Sequence, residues 1–149
     1  MPETLARRQT WANNVEDWQA SDDNTNLVFL TDSKLGPFAN RSTHIYKCPT
    51  DRMPAPNGER IRSMSTNALV GNPGELTNHF NPLYVQFYKK SEFKNASETF
   101  VFLDEQADTL NDGFFVNRLE DYLWGNVPGS YHSGGANFSF ADGHMESHR

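Results

Sequence analysis

The sequence predicts an α+β fold in which a short N-terminal helix packs on a mostly antiparallel β-sheet with long loops. Three observations support this class. Residues 4–18 place apolar side chains at helical spacing, residues 98–105 hold a continuous apolar run, and residues 136–149 flank an Asp-Gly turn. The chain has 149 residues, and single domains commonly hold about 100–200. We therefore expect one globular domain over residues 1–149.

The first predicted element is a short amphipathic helix in "TLARRQTWANNVEDW". Leu5, Trp11, Val15 and Trp18 lie near one helical face of this stretch, and its acidic residues lie on the other. The next apolar stretch, "NLVFLTDSKLGPF", is consistent with either a helical turn or a short strand, which the Gly-Pro pair at 36–37 would end.

The middle of the chain gives weaker signals. "IYKCP" predicts a brief strand that ends at Pro49, and "IRSMSTNALVG" predicts an extended segment. "TDRMPAPNGER" and residues 72–82 have the composition of loops, because they are rich in Pro, Gly and Asn. "LYVQFYKKSEF" fits a helix or a strand, since its period does not decide between them.

The clearest strands come late in the chain. "ETFVFLDE" is an apolar run that ends in two acids, as expected of a central strand that delivers carboxylates to the edge of a sheet. "GFFVNR" predicts a second strand. "ANFSFADGHMESHR" alternates on both sides of Asp142-Gly143, which predicts a hairpin with a type I′ turn and positive φ at both turn residues.

Composition excludes several classes of function. The formal charge of −6 and the absence of a basic cluster argue against a nucleic-acid groove. Cys48 is the only cysteine, so no intrachain disulfide can form. No apolar run approaches the roughly 20 residues needed to cross a bilayer. Aromatic residues make up 13% of the chain at a mean hydropathy of −0.72, which predicts a modest aromatic core beneath polar loops.

His132 and Asp142 are the first candidate for chemistry. A hairpin can return a side chain close to a residue ten positions earlier, so Asp142 could orient His132 as a general base. The alternative is that Asp142 shapes the turn and that His132 satisfies a buried backbone carbonyl. The sequence offers no convincing nucleophile, since the serines lack a nucleophile elbow and Cys48 precedes a proline. A structural role is therefore favoured.

The second candidate is the acidic stretch "DEQADTLNDG", residues 104–113, which also contains Asp108 and Asn111. Its oxygen donors suit calcium, which takes 6–8 oxygen ligands, although the spacing is not that of an EF-hand. We name Asp104, Glu105 and Asp112 as candidate calcium ligands. The alternative is a solvated turn. Adjacent carboxylates at the end of an apolar strand repel each other unless a cation, an arginine or a backbone amide meets them.

The third candidate is a zinc site at His144 and His148. A spacing of four residues places two side chains on one face of a helix, whereas the Asp-Gly hairpin predicts a strand there. Catalytic zinc is therefore disfavoured.

Four motifs, taken together in chain order, carry a family resemblance. They are "IYKCPTDR", "RIRSMSTNALVG", "FVFLDEQADTLNDGFF" and "SYHSGGANFSFADGH". The chain resembles the bacterial prepilin-type, pseudopilin-like proteins of planctomycetes and verrucomicrobia that carry a C-terminal His-(nine residues)-Asp-Gly motif. His132, Asp142 and Gly143 match that motif, and the resemblance covers roughly residues 10–149.

The resemblance implies a pseudopilin-like head with a non-catalytic, structural function. The implied protein is a subunit or head domain of an extracytoplasmic filament or of a type II secretion-type apparatus. Its partners would be other pilin-like or secretion-system subunits, including copies of itself. Major pseudopilins hold a structural calcium in a C-terminal loop, which adds interest to the acidic stretch. The family's leader and long N-terminal hydrophobic helix do not occur in this sequence, so we expect a head without its membrane-inserting stalk.

Two other functions stay open at this stage. Trp11, Trp18, Tyr122 and Trp124 could stack on sugars, which would make the chain a secreted module that binds carbohydrate or another surface ligand. A hydrolase would use Asp104, Glu105, His132 and Asp142. The missing nucleophile makes the hydrolase the weaker of the two.

Overall fold

The computed structural model describes residues 10–71, 83–117, 120 and 123–149. Contacts between residues group the chain into two compact units. The first comprises Met1–Met64 and Leu110–Gly113, and the second comprises Ser65–Thr109 and Phe114–Arg149. The fold is mixed α/β, mostly sheet with little helix. Whether residues 1–149 behave as one domain stays a prediction.

The first unit contains short elements joined by loops. One turn of α-helix, α1, spans Val28–Thr31, which confirms the helical alternative for "NLVFLTDSKLGPF". An antiparallel ribbon pairs β1, Pro54–Ala55, with β2, Gly58–Glu59. The 3₁₀ turns of this unit are Asp22–Asn24, Gly36–Ala39 and His44–Tyr46. No helix within the described ranges is long and apolar enough to span a membrane.

The predicted N-terminal helix is wrong over residues 10–18, which contain no helix; residues 4–9 lie outside the described part of the chain. The backbone here bonds to distant segments, since the Glu16 amide donates to the Asn111 carbonyl at 2.9 Å. The polar Asn14 side chain is buried, while the apolar Val15 is 36% exposed. Hydrogen bonds to distant segments therefore take the place of the helical hydrogen bonds that the apolar spacing predicted.

A small apolar core holds the first unit together. Ala12, Leu30, Tyr46 and Ile61 form it, each at most 6% exposed. Trp11 stacks on Tyr46 with ring centroids 5.8 Å apart. Tyr46 closes the 3₁₀ turn His44–Tyr46, so the predicted strand in "IYKCP" is wrong and its aromatic residue serves as a core anchor instead.

A buried ion pair lies beside this core. Glu16 Oε2 is 3.0 Å from Arg60 Nε, and both side chains are fully buried. The other carboxylate oxygen, Oε1, accepts the backbone amide of Arg62 at 2.9 Å. Burial raises the pKa of Glu16, and the nearby charges of Arg62 and Arg60 oppose that rise.

The second unit is built on a five-stranded sheet with the order β5-β3-β4-β6-β7. β4 pairs antiparallel with β6, and β6 pairs antiparallel with β7, whereas β3 and β5 run parallel. The predicted mostly antiparallel sheet is thus a mixed sheet. The strands are β3 Met64–Asn67, β4 Phe100–Asp104, β5 Phe114–Phe115, β6 Ala136–Phe140 and β7 Met145–His148.

Most strand predictions are confirmed, with shorter bounds. The apolar run at 98–105 forms β4, the extended segment near 64 forms β3, and "GFFVNR" keeps only the two residues of β5. "LYVQFYKKSEF" forms neither a long helix nor a strand, apart from the 3₁₀ turn Lys90–Glu92 and a single bridge at Phe87. The predicted loop at 72–82 lies outside the described residues.

The predicted hairpin is confirmed, but its turn is of another type. β6 and β7 pair in register on both sides of residues 141–143. The Gly143 amide donates to the Phe140 carbonyl at 2.9 Å, and Gly143 has a φ of 100°. Asp142 is not among the described residues with positive φ. A three-residue connection with its left-handed residue at glycine replaces the type I′ turn, because it places no strain on Asp142.

One face of this sheet is aromatic. Phe100 makes edge-to-face contacts with Phe115 and Phe138, at centroid distances of 6.0 and 5.7 Å. Leu103, the next residue of β4 to pair on this side, is fully buried. The opposite face carries Phe102 of β4 opposite Ser139 of β6, together with the polar side chains that form the candidate site.

Candidate functional site

Asp104 ends β4 and Glu105 follows it, two consecutive buried acids exposed by only 3% and 0%. Successive side chains of a strand point to opposite faces, so the two carboxylates separate instead of repelling each other. Each then finds its own set of hydrogen-bond donors. The backbone amide of Asn137 donates to Asp104. A backbone amide was one of the three partners that the sequence analysis expected for adjacent carboxylates at the end of an apolar strand.

The Asp104 carboxylate joins three segments of the second unit. Its Oδ2 lies 3.0 Å from His132 Nε2 and accepts the backbone amide of Asn137 at 3.1 Å. The backbone carbonyl of Asp104 accepts the Gly129 amide at 2.7 Å. The Asp104 side chain is 5% exposed and the His132 side chain is 30% exposed, so the pair lies at the margin of the interior.

A tight turn delivers His132 to this position. Ser133 and Gly134 have φ values of 55° and 87°, which reverses the chain directly after the histidine. The His132 amide donates to the Gly135 carbonyl at 3.0 Å, which closes the turn. A Cβ on Gly135 would overlap the His148 carbonyl oxygen. The glycines of "HSGGAN" are therefore required by geometry and by close packing.

Asn137 extends the cluster from the histidine to the last strand. Its Nδ2 lies 2.8 Å from His132 Nε2, and its Oδ1 accepts the Ser147 hydroxyl. Asn137 and Ser147 are directly paired across β6 and β7. Asp104, His132, Asn137 and Ser147 thus connect β4, the turn, β6 and β7. We call these four residues the polar clamp.

His132 contributes its Nε2 to the polar clamp, within hydrogen-bond distance of Asp104 Oδ2 and Asn137 Nδ2. This nitrogen donates to Asp104 when it carries a proton and accepts from Asn137 when it does not. Asp142 pairs instead with His144, whose Nδ1 lies 2.6 Å from its Oδ1 in the exposed turn. The structure therefore does not bring His132 and Asp142 together as a dyad. Gly143 supplies the left-handed residue of the turn, and Cys48 is buried in the first unit.

Glu105 forms a second polar cluster on the other face. Its Oε1 accepts the Asn126 carboxamide at 2.7 Å and the Thr109 hydroxyl at 2.9 Å. The Asn126 Oδ1 in turn accepts the Val116 amide at 2.8 Å, and the Glu105 carbonyl accepts the Tyr131 hydroxyl at 2.9 Å. The carboxylate therefore orders the loops that follow β4.

The predicted calcium ligands fall in different parts of the chain. Asp104 and Glu105 belong to the second unit, where protein donors meet both carboxylates. Asp112 belongs to the first unit, and its backbone amide is met by Asn111 Oδ1 at 2.7 Å. Asp108 is exposed. The calcium site stays a prediction.

The two histidines that the sequence disfavoured as zinc ligands lie on one side of the chain, His144 just before β7 and His148 at its end. Glu146 lies between them, with Oε1 3.1 Å from His144 Nε2 and Oε2 2.6 Å from His148 Nε2. Side chains four residues apart also share a face on a strand, but about 13 Å of strand separates them. Hydrogen bonding to Asp142 raises the pKa of His144, and hydrogen bonding to His144 lowers the pKa of both Asp142 and Glu146.

The candidate sugar-stacking aromatics differ in exposure. Trp11 packs on the core of the first unit, and Arg60 lies over the ring of the 45% exposed Trp18, at 4.8 Å from its centroid. Trp124 is 67% exposed. Tyr122 lies outside the described residues.

Sequence reasoning missed the two asparagines at the centres of these clusters. Asn137 lies in "ANFSF", where polar and apolar residues alternate. The alternation indicates on which face of the sheet Asn137 lies, but it does not indicate which residue Asn137 contacts. Asn126 stands in a loop with no pattern around it. Contacts across roughly 20 to 30 residues, as for Asn126 with Glu105 and Asp104 with His132, leave no local mark in a single sequence.

Comparison with known proteins adds no family. No family model, no curated protein and no solved structure among those compared matches the chain. The resemblance to prepilin-type proteins therefore stays a prediction.

Proposed function

We propose that the chain is the globular head of a pilin-like subunit that serves a structural, non-catalytic role outside the cytoplasm. Its place would be in a filament or a type II secretion-type apparatus, among other pilin-like subunits. The observation that carries the proposal is the use of His132. The histidine of the His-(nine residues)-Asp-Gly motif holds strands together through Asp104 and Asn137.

The remaining motif residues have structural uses as well. Asp142 bonds to the amide and to the imidazole of His144, and Gly143 allows the hairpin to turn. The three motif residues thus stabilise one hairpin and the turn that precedes it. Such a motif suits a domain that must keep its shape under mechanical load. Such a motif needs no substrate and no nucleophile.

The test is the location and the assembly state of the protein in its source bacterium. The complete gene product carries a C-terminal epitope tag, and cells are fractionated and then sheared to release surface filaments. We expect the tag outside the cytoplasm and in the sheared fraction together with other pilin-like proteins. A cytoplasmic enzyme followed in the same fractions controls for lysis. Recovery of the tag with that marker alone would contradict the proposal.

A second candidate rests on Trp124, whose ring is 67% exposed. Exposed tryptophans are common where proteins bind sugars or other flat ligands, so a module that binds a surface polysaccharide is the alternative function. Calorimetric titration with soluble polysaccharides tests it. Binding that is lost in Trp124→Ala and kept in Phe38→Ala, another exposed aromatic, would support this function over the structural one.

A further inference from the structure

Among the strands that the structure describes, β7 is an edge of the five-stranded sheet. It is the last strand in the order β5-β3-β4-β6-β7, and its residues Met145–His148 are all exposed. Met145, an apolar side chain, is 68% exposed. An edge strand presents unpaired backbone N–H and C=O groups, which another strand can join.

The register of the hairpin decides which backbone groups face outward. The Phe140 amide donates to the His144 carbonyl at 2.9 Å, so the backbone groups of His144 point towards β6. In an antiparallel pair this orientation alternates along the strand. The backbone N–H and C=O groups of Glu146 and His148 therefore also point towards β6. Those of Met145, Ser147 and Arg149 point away from the sheet.

The side chains along this edge form an alternating row of charge. Glu146 lies between His144 and His148 and contacts both imidazoles. The β6 residues on the same face are Ala136, Phe138 and Phe140, none of which carries a charge. The row is therefore complementary to an antiparallel second copy that is shifted so that each Glu146 falls opposite a histidine.

We propose that β7 pairs with β7 of a second copy of this chain, antiparallel and centred on Ser147. Only residues whose backbone N–H and C=O groups face outward can form hydrogen bonds across such an interface. Ser147 therefore lies opposite Ser147 of the other copy, and Met145 lies opposite Arg149. Each Glu146 then falls opposite a His148, twice per dimer. These are non-hydrogen-bonded pairs, in which opposite side chains come closest.

The competing registers are less favourable. Centring on Glu146 would set two carboxylates opposite each other and would require inward-facing backbone groups to turn outward. Centring on Met145 brings Ser147 opposite Gly143, where the chain already turns back towards β6. The Ser147 register therefore gives the longest overlap and the best charge pairing.

This inference is independent of the proposed function, because it depends only on the geometry of the edge. The closed two-fold pair uses the same surface on both copies, so it stops at two chains. A single strand pair is a small interface, and we expect a weak dimer that forms at high protein concentration.

Sedimentation velocity across a concentration series tests the pairing. Ser147→Pro removes the outward N–H of the centre, and proline is tolerated on edge strands. Ser147→Ala loses the same hydroxyl, including its bond to Asn137, but keeps the N–H. We expect dimers of the wild type and of Ser147→Ala, and a monomeric Ser147→Pro. A monomeric wild type, a monomeric Ser147→Ala or an equally dimeric Ser147→Pro would each overturn the proposal.

The charge pairs and the register have separate readouts. In acid, where an imidazole carries a proton, Glu146→Gln should weaken the dimer by roughly 2- to 30-fold, as expected for two cross-strand ion pairs. Under mild oxidation, Ser147→Cys should form a covalent dimer, whereas Ser97→Cys, an exposed serine away from the edge, should not. Equal cross-linking of the two cysteine variants would contradict pairing through β7, even if the proline variant failed to fold.

Discussion

Asp104 Oδ2 lies 3.0 Å from His132 Nε2 and joins the end of β4 to the turn that precedes β6. The same oxygen accepts the amide of Asn137 at 3.1 Å. A single buried carboxylate thus connects segments that are about 30 residues apart in the chain. The sequence had suggested Asp142 as the partner of His132. Because His132 pairs with Asp104 instead, substitution of Asp104 is the test of the motif's contribution to stability.

Asp104→Asn tests the polar clamp. The substitution keeps the size of the side chain but removes the charge that meets His132 and the Asn137 amide. We expect a loss of about 1–3 kcal/mol in the free energy of unfolding, measured by urea denaturation at neutral pH. Asp108→Asn, at an exposed acid in the loop that follows β4, should change it by less than about 0.5 kcal/mol. Equal losses in the two variants would count against the clamp.

Glu105→Ala tests the second cluster. It removes the acceptor of Asn126 and Thr109 from a fully buried position and leaves the Asn126 carboxamide without that partner. We expect a loss of about 3–5 kcal/mol in the same urea experiment. Asp108→Ala is the control for removing a carboxylate from this loop. A near-neutral Glu105→Ala would show that the loops after β4 are held by other contacts.

Arg60→Met tests the buried ion pair of the first unit. Removing the cation leaves the Glu16 carboxylate buried, which typically costs about 3–5 kcal/mol at neutral pH. The matched control is Arg41→Met. Arg41 pairs with Asp32 at 3.0 Å on the surface, and an exposed pair contributes about 0–1 kcal/mol. Similar losses for the two arginines would contradict the assignment of Arg60 to the interior.

The same pair predicts a pH dependence. Burial raises the pKa of Glu16 from its usual 4.5, so the contribution of this group to stability is present below pH 4.5. It is lost as the pH rises through the raised value of the folded state. The loss in Arg60→Met should therefore be smaller in acid, where neutral Glu16 needs no cation. Urea denaturation at several pH values checks this, and a loss that grows in acid would contradict it.

The row of charge on β7 predicts a titration. Hydrogen bonding to Asp142 raises the pKa of His144 above its usual 6.5, so this contribution is present below pH 6.5 and is lost as the pH rises through the raised value. The lowered pKa of Asp142 and Glu146 acts in the opposite sense, from usual values of 3.8 and 4.5. The hairpin should therefore be best paired between about pH 4.5 and 6.5.

NMR titration of the imidazole resonances measures this effect directly. In Asp142→Asn the midpoint of His144 should fall, because the acceptor of the hydrogen bond at its Nδ1 loses its charge. An unchanged His144 midpoint would show that the exposed hydrogen bond to Asp142 is not formed in solution.

Calcium is tested by thermal unfolding with added calcium and with chelator. The site predicted at Asp104, Glu105 and Asp112 implies a gain of about 2.7 kcal/mol at 100 times the dissociation constant. Asp112→Asn should reduce that gain without disturbing the polar clamp. Identical melting temperatures with calcium and with chelator would contradict the calcium site. The carboxylates would then serve only the hydrogen bonds described above.

Local patterns determined much of the sheet. β4 and the β6–β7 hairpin followed from an apolar run, from alternation and from an Asp-Gly turn, because each of these signals lies within a few neighbouring residues. The N-terminal stretch failed the same kind of reasoning. Its helical spacing was real, but Asn14 and Glu16 found distant hydrogen-bond partners, and these outweighed a weak local preference.

The sequence by itself determined the strands that carry the motif, the two acids at the end of β4 and the position of the turn at Asp142-Gly143. Only the tertiary structure decided that His132 meets Asp104, that Glu105 faces Asn126 and that Asp142 pairs with His144. Which polar groups meet in space depends on strand order and on the path of loops such as 104–113 and 126–135. Many partners satisfy the same local chemistry, so a single sequence does not select among them.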